Sequence, residues 1–317
     1  MRNLVKIILL MIVVLGLVIG SFGLGYAANY EFRLVWGATG QAFLKPVIKG
    51  MEDAAKMCGN VNVKVVGPVE DSVPQTVATF NAMVDANVDA IITAIGDPTS
   101  FVKPATRAKE KGIPVIACCI DDLTGNTPRM AFVGSDSISQ GEVMGRAMLE
   151  YGLTKGKIAL FQHMAHAQLK GRIDGVKNIL AGKGFEIESV ITGSEMTAAI
   201  AVIEAYLLAN PGIKGIYGVD GITTPACSQV MLNHPELKGK VHTGGTDLIP
   251  ITLQAIKEGY TDFTLDQNPY LYGFYPVIAA WLYLEYGIDP VNVNTGMSRV
   301  NIDNIDRMIE LAEQGYK

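Results

Sequence analysis

The sequence predicts an α/β protein built of two doubly wound parallel-sheet lobes, and three observations carry that reading. Short apolar runs alternate with amphipathic stretches from Phe32 to Tyr286. The apolar runs are nearly continuous, as expected of strands covered on both faces by helices. The alternation breaks once, at Gly134-Ser135-Asp136-Ser137, and then restarts, so the 317 residues divide into two units.

The elements follow in order. Residues 32–36 form the first strand and Gly37-Ala38-Thr39-Gly40 a tight turn. The helix over 42–57 places Phe43, Val47, Met51 and Ala54 on one face, and Gly59 stops it. Residues 61–66 are a strand, after which Ser72 and Pro74 open a helix carrying Val77, Phe80 and Val84. The strand over 89–95 leads to Asp97-Pro98, an N-cap followed by proline at the first helical position. A strand over 115–120 ends at Asp121-Asp122, and a short one spans 129–134. Ser135-Asp136-Ser137 then caps a helix reaching Tyr151. In the second unit, strands over 157–162, 185–191, 215–219, 241–244 and 261–265 alternate with helices over 169–180, 197–208, 224–232 and 251–257. A long apolar helix over 270–286 contains five tyrosines, one phenylalanine and Trp281.

Composition bounds the function. The formal charge is −5 with no block of like charge, so nothing favours nucleic acid, which calls for a basic face. Arg2 and Lys6 precede an apolar run over 7–20, and Gly25-Tyr26-Ala27 ends it as a small-x-small site, so the first residues read as an export signal cleaved near Ala27. The alternative is an uncleaved anchor, because the run approaches spanning length. Without Arg2 and Lys6, 24 basic residues face 31 acidic ones, a net charge of −7. No cysteine follows the run to carry a lipid, so the mature protein is expected free in an extracytoplasmic space, in the simplest case the periplasm. That compartment permits disulfides. Cys118 and Cys119 nevertheless read as buried thiols on one strand, and Cys58 and Cys227 fall in different lobes.

The polar residues at strand ends carry the chemistry. Thr246 and Asp247 end one strand, and Asp266, Gln267 and Asn268 end the next. The carboxyl edge of an open α/β sheet is where ligands bind. Fixed acceptors and donors there suit a small, neutral, hydroxyl-rich ligand. Asp121 and Asp220 stand at strand ends as well. Helix capping accounts for an aspartate at such a place. Catalysis would need a carboxylate pair at a set separation, and no spacing here selects one. As binding groups the carboxylates accept hydroxyls at about 1.5–3 kcal/mol per bond, and a few such bonds account for micromolar affinity, about −8 kcal/mol.

Other motifs are weaker. Gly37-Ala38-Thr39-Gly40 lacks the full dinucleotide spacing, and no P-loop or G-x-S-x-G occurs, so no cofactor and no nucleophile elbow are expected. His163 and His166 are three apart but have no further ligand at a metal-binding spacing. His166 reads as a loop residue, whereas His163, nearer the strand end, suits a donor to a hydroxyl. Arg172 is either a solvated arginine or a planar fork spanning adjacent hydroxyls. Phe43 and Trp36 are either core residues or flat walls against the C–H face of a ligand ring.

A resemblance rests on the order of several stretches: the export signal, the turn from Gly37 to Phe43, Gly112-Ile113-Pro114-Val115-Ile116, Phe132-Val133-Gly134-Ser135-Asp136, Arg172-x-x-Gly175, the strand ending at Asp220, Gly245-Thr246-Asp247, and Asp266-Gln267-Asn268-Pro269. Across nearly all of the mature chain the sequence resembles the periplasmic sugar-binding proteins of the ribose/galactose type, the substrate receptors of bacterial ABC importers. The resemblance implies the type I periplasmic binding protein fold, two lobes joined by three crossings near Ser135, Gln267-Asn268 and residues 291–295. It divides the chain into 28–135 plus 268–293 and 136–267 plus 294–317. It implies ligand contacts from Gln41, Phe43, Ser135, Arg172, Asp220, Asp247 and Gln267, with His163 on the pocket wall. Leu44 and Ala94 depart from the ribose type, which has a second aromatic and an asparagine there. The segment Cys118-Cys119-Ile120-Asp121-Asp122 is longer than usual, which leaves Cys119, Asp121 and Asp122 as alternatives for the pocket. Asp121 is the residue expected there.

The function expected is therefore a monomeric receptor, without catalysis, cofactor or metal, that closes over a monosaccharide or polyol and delivers it to the membrane permease of an ABC transporter. The rival readings are a sensor subunit presenting ligand to a membrane receptor or histidine kinase, and an extracytoplasmic carbohydrate enzyme using two of the aspartates. A sugar-responsive transcription regulator would need a DNA-binding helix pair where this chain has its export signal.

Overall fold

A computed structural model describes residues 29–41, 43–165 and 167–317. The expected export signal, Ala42 and His166 lie outside the described residues. The first lobe's sheet begins with β1 (Tyr30–Val35), β2 (Val61–Val66), β3 (Ala90–Thr93), β4 (Val115–Cys118) and β5 (Ala131–Gly134). The second has β6 (Gly156–Gln162), β7 (Phe185–Ile191), β8 (Gly215–Gly218), β9 (His242–Thr246) and β10 (Phe263–Asp266). Two late strands, β11 (Val293–Asn294) and β12 (Ser298–Val300), complete one edge of each sheet. The orders are β11-β5-β4-β3-β1-β2 and β12-β10-β9-β8-β6-β7, the same topology used twice. All pairings are parallel except β10 with β12.

The helices are α1 (Leu44–Cys58), α2 (Val73–Asp85), α3 (Pro98–Glu110), α4 (Ser137–Glu150), α5 (Ala167–Leu180), α6 (Met196–Ala209), α7 (Thr223–Asn233), α8 (Pro250–Lys257), α9 (Pro269–Tyr286) and α10 (Ile305–Glu313). In β1, Phe32 and Leu34 face the core shared with α1 and α9, while Val35 faces the core shared with α2 and α3. In the second lobe α4 and α5 cover one face, and α6 and α7 the other. The expected caps form: Ser72, Asp97 and Asp136 accept the N–H groups of Gln75 (3.4 Å), Thr99 (3.1 Å) and Ser139 (2.8 Å). Among the described residues no helix is long and apolar enough to cross a membrane.

Close helix pairs hold the cleft residues in place. A Cβ on Gly141 of α4 would lie 1.9 Å from the Arg172 carbonyl oxygen, and one on Gly175 of α5 would lie 2.1 Å from that of Ile138. Only glycine permits this backbone contact, which sets Arg172 against α4. The first lobe uses Gly50 and Gly273 in the same way between α1 and α9.

Three segments cross between the lobes, from β5 to α4, from β10 to α9 and from β11 to β12. They are tied side by side. The Thr295 N–H donates to the Gly134 carbonyl (3.1 Å) and the Asn268 side-chain amide to the Thr295 carbonyl (2.9 Å).

The boundaries differ from expectation in informative places. The strand expected over 115–120 stops at Cys118, because Cys119 takes a left-handed conformation with φ 64°. The strand expected from 129 begins at Ala131. The sequence pattern did not indicate β11, β12 or α10.

Candidate ligand-binding site

The carboxyl ends of the two sheets face each other. Gln168 of the second lobe donates its amide to the Cys119 carbonyl of the first (3.5 Å), and Met164 lines a cavity with Trp36, Gln41 and Asp71. The backbone is strained here. Among the described residues four non-glycine residues have positive φ, and three of them, Cys119 (64°), Asp247 (74°) and Asn268 (56°), stand at this edge or at the crossing beside it. Such conformations cost on the order of 1–3 kcal/mol and gather at functional sites.

Arg172 is the centre of a buried network. It is 4% exposed. Its Nε–H donates to Gln140 Oε1 (2.6 Å), one Nη group to the Val219 carbonyl (2.6 Å) and the other to Gln267 Oε1 (2.8 Å). Three of the guanidinium's five N–H groups are used in these bonds. Gln267 passes the chain on, donating its amide to Asp247 Oδ1 (2.5 Å). The network thus joins α5 to the ends of β8, β9 and β10, and Gln267 lies on a crossing segment. Burial pushes the Asp247 carboxyl above its ordinary range, outweighing the Arg172 charge and the Gln267 bond that pull it down.

Asp220 and His163 form a second unit. Asp220 Oδ1 accepts the N–H groups of Ile222 (2.9 Å) and Thr223 (2.8 Å) at the start of α7, which is the capping alternative to the expected ligand contact. Its Oδ2 accepts the His163 backbone N–H (2.9 Å) and lies 3.1 Å from His163 Nδ1. Burial raises the Asp220 carboxyl, but the bonds from His163 and Thr223 outweigh it and hold it below its usual value.

Buried polar groups are normally hydrogen-bonded. Several that are not cluster at this edge. Gln162 Oε1, Thr246 Oγ1 and the Tyr272 hydroxyl have no hydrogen-bond partner among the described residues, and His163 Nδ1 makes no well-aligned bond despite its closeness to Asp220. The site therefore presents acceptors and donors that its own fold leaves unused.

The remaining expected residues are distributed around this centre. Gln41 is exposed at the rim of the cavity it shares with Trp36 and Asp71. Phe43 is half-buried between Trp36 and Tyr272, its ring centroid 6.3 Å from each, so it both backs the site and joins the core. Ser135 is buried and lines a neighbouring cavity with Cys119, Asp121 and Gln168. Asp121 borders that cavity while held by Arg129, Nε to Oδ1 and Nη2 to Oδ2 (both 2.5 Å). Asp122 turns into its own loop, accepting from Thr124 and Thr127. Burial raises its carboxyl, but those bonds outweigh burial and hold it well below the carboxylate range. Cys119 lies within electrostatic reach of Arg172 and Asp247, and burial pushes its thiol up to about 12. It meets the network as a neutral group. Asp266 accepts the Asn268 N–H (2.9 Å) and pairs with Lys317 (2.5 Å) at the crossing.

Sequence reasoning missed Gln140, Tyr272 and Lys317. Gln140 had a readable signal, since it stands one turn before Met144 in the buried stripe of α4, where a polar residue needs a partner. Among the described residues no group of three or more His, Cys, Asp or Glu could hold a metal ion.

A family model described as a periplasmic binding protein domain matches residues 32–288. A xylose/arabinose-binding protein, XylF, of Sulfolobus acidocaldarius is 30% identical over 282 residues, covering 84% of this chain and 70% of that protein. The D-allose-binding periplasmic protein of Escherichia coli is 27% identical over 255 residues, covering 76% of this chain and 80% of that one. The crystal structure of an ABC transporter solute-binding protein from Burkholderia graminis in complex with D-arabinose superposes with a TM-score of 0.81 at 25% identity, covering 88% of this chain and 97% of that one.

Proposed function

The chain belongs to the periplasmic binding protein domain family, and from that premise we propose that it is the sugar receptor of an ABC-type importer. It captures a monosaccharide or related polyol between its lobes and carries it to the membrane permease. The observation that supports this reading best is the Arg172–Gln267–Asp247 chain, set between the lobes beside buried polar groups without partners. In this reading the two further N–H groups of Arg172, the free oxygen of Asp247 and the Asp220–His163 unit bind ligand hydroxyls. Gln41 and Ser135 add polar contacts, Asp121 borders the pocket, and Phe43 covers an apolar sugar face. The ligand favours the closed arrangement because only there do groups of both lobes meet it together. No covalent step takes place.

The lobes divide as 28–135 with 268–293 and 136–267 with 294–317. The protein is exported, cleaved near Ala27, and acts as a periplasmic monomer. The relatives named for xylose, arabinose and allose direct the first choice of ligands. A thermal-shift screen of the chain from residue 28 against pentoses, hexoses and polyols tests the reading. A ligand at 100 times its Kd stabilises the folded state by about 2.7 kcal/mol, so at least one sugar should raise Tm clearly. A shift with nucleosides or amino acids, and with no sugar, would overturn it.

A further inference from the structure

We propose that the segment after α10, Gln314-Gly315-Tyr316-Lys317, is a strap that ties the two lobes together beside the crossings and favours their closed arrangement. Its role in binding rests on the sugar-receptor reading above. None of its residues lines the two cavities described at the carboxyl edges of the sheets.

The strap is rooted in the second lobe. α10 buries Ile305 against Leu253 and Ile256 of α8 and Val300 of β12, with Met308 and Ile309 packed beside them. Asp306 pairs with Lys257 of α8 (2.8 Å). Gly315 ends the helix in the left-handed region, φ 83°. The N–H groups of Gly315 and Tyr316 return to the carbonyls of Ala312 (3.0 Å) and Leu311 (2.9 Å). Glycine adopts this closure at no steric cost, and it turns the chain off the helix axis.

The next two side chains reach away from that lobe. The Tyr316 ring lies 5.4 Å from the ring of Tyr270 in α9, and Lys49 Nζ of α1 stands 5.1 Å from its centroid. Both partners belong to the first lobe and are held by one carboxylate. Asp53 pairs with Lys49 (2.6 Å) and accepts the Tyr270 hydroxyl (3.0 Å). Tyr316 therefore enters a seat whose own parts are already fixed to each other. Lys317 follows at the crossing, where its Nζ meets Asp266 Oδ2 (2.5 Å) and Asn268 Oδ1 (2.9 Å). One side chain grips the first lobe and the next grips the crossing, while the helix behind them stays on the second lobe.

These contacts exist where the lobes touch across the cleft, as the Gln168–Cys119 bond (3.5 Å) shows. Opening turns α10, with the second lobe, relative to α1 and α9. Lys317 stands at the pivot and moves little, whereas the Tyr316 ring is carried out of its seat. Ring contacts of this kind hold only to about 6–7 Å between centres, so a small displacement loses them. A contact made in the closed arrangement alone raises the closed fraction before ligand arrives, and the apparent Kd falls in proportion.

Small-angle scattering and titration with a sugar that binds the parent test this on Tyr316→Ala, Lys49→Met and the double variant. Tyr316 is 36% exposed, so its variant should fold as the parent does. Lys49→Met breaks the same contact from the other side. Without sugar, Tyr316→Ala is expected to show a larger radius of gyration than the parent, and with saturating sugar to regain the parent's value. Its Kd should rise about three- to tenfold. Lys49→Met should move both quantities in the same direction. The double variant should bind no more weakly than Tyr316→Ala alone, because the two residues act through one contact. Sugar-free radii equal to the parent's overturn the proposal, as do unchanged or tighter binding and additive losses in the double variant. In those outcomes a bound sugar leaves the receptor reading standing. If no sugar binds the parent, the receptor reading falls, and the sugar-free radii alone decide the strap.

Discussion

Replacing Arg172 with methionine separates the two roles of the buried network. The guanidinium is 4% exposed and donates to three acceptors at 2.6, 2.6 and 2.8 Å, all from fixed elements. Charged hydrogen bonds contribute about 1.5–3 kcal/mol each. The cost of burying the charge offsets much of their sum, and breaking a buried charged contact typically costs about 3–5 kcal/mol net. Arg172→Met should therefore lower Tm on the order of 10 °C for a chain of this size. Gln267 then loses the donor that orients it toward Asp247, so the two proposed ligand contacts lose position together. Loss of two charged contacts to sugar corresponds to at least a hundredfold weaker binding, about 2.7 kcal/mol. Arg172→Lys keeps the charge without the fork and should recover part of the stability but little of the affinity. Calorimetric melts give the first quantity and titration with the best sugar of the screen gives the second. If Arg172→Met binds that sugar within threefold of the parent, the sugar does not sit at this network, whatever happens to stability.

Two further substitutions carry independent expectations. Asp247→Asn should bind sugar poorly yet melt higher than the parent at neutral pH. The Asp247 carboxyl is raised in the folded state, chiefly by burial. Its ionised form is therefore penalised on folding above the folded pKa, and that penalty fades as pH falls through the folded value toward the unfolded one. The difference in Tm between the two proteins should thus shrink on acidification from pH 7 to pH 4, and a gap that widens instead would refute the assignment. Lys317→Met should destabilise by about 3 kcal/mol in urea unfolding and weaken sugar binding, because it leaves the buried Asp266 carboxylate without its cation and loosens Asn268 at the crossing. Unchanged stability would mean that this pair contributes nothing to the hinge.

Much of the fold was legible because parallel strands and capped helices leave local marks. The limits of β2 and β7 coincide with those of their apolar runs, and Ser72, Asp97 and Asp136 cap as their side chains suggest. What was not legible depends on distant contacts. Nothing in Cys118-Cys119 signals a left-handed residue, since cysteine has no turn preference to betray it, so the strand was read two residues too long. β11 is two residues and β12 three, too short for any periodicity, and each exists only because a sheet edge receives it. The site divides in the same way. Arg172, Asp247 and Gln267 were visible as polar residues at strand ends or beside a helix glycine. Lys317 reaches Asp266 across 51 residues with no local pattern to announce it.

No single one of these residues points to a ligand alone, but three different costs fall at the same edge. The backbone is held left-handed at Cys119, Asp247 and Asn268. Buried polar atoms of Gln162, Thr246 and Tyr272 go without hydrogen bonds. A carboxylate, Asp247, is kept where burial opposes its charge. Each cost is of the order of a few kcal/mol, against a net stability of about 5–15 kcal/mol for a folded protein. Two further buried hydroxyls without partners among the described residues, those of Tyr217 and Thr252, lie away from this edge. In the proposed receptor, the meeting of the three costs between the lobes holds this surface ready for groups that arrive from outside. Hydroxyls satisfy carboxylate, amide and guanidinium together. Closure and binding are coupled in the proposed receptor because Gln267 and Asn268 belong at once to the polar surface and to a crossing segment.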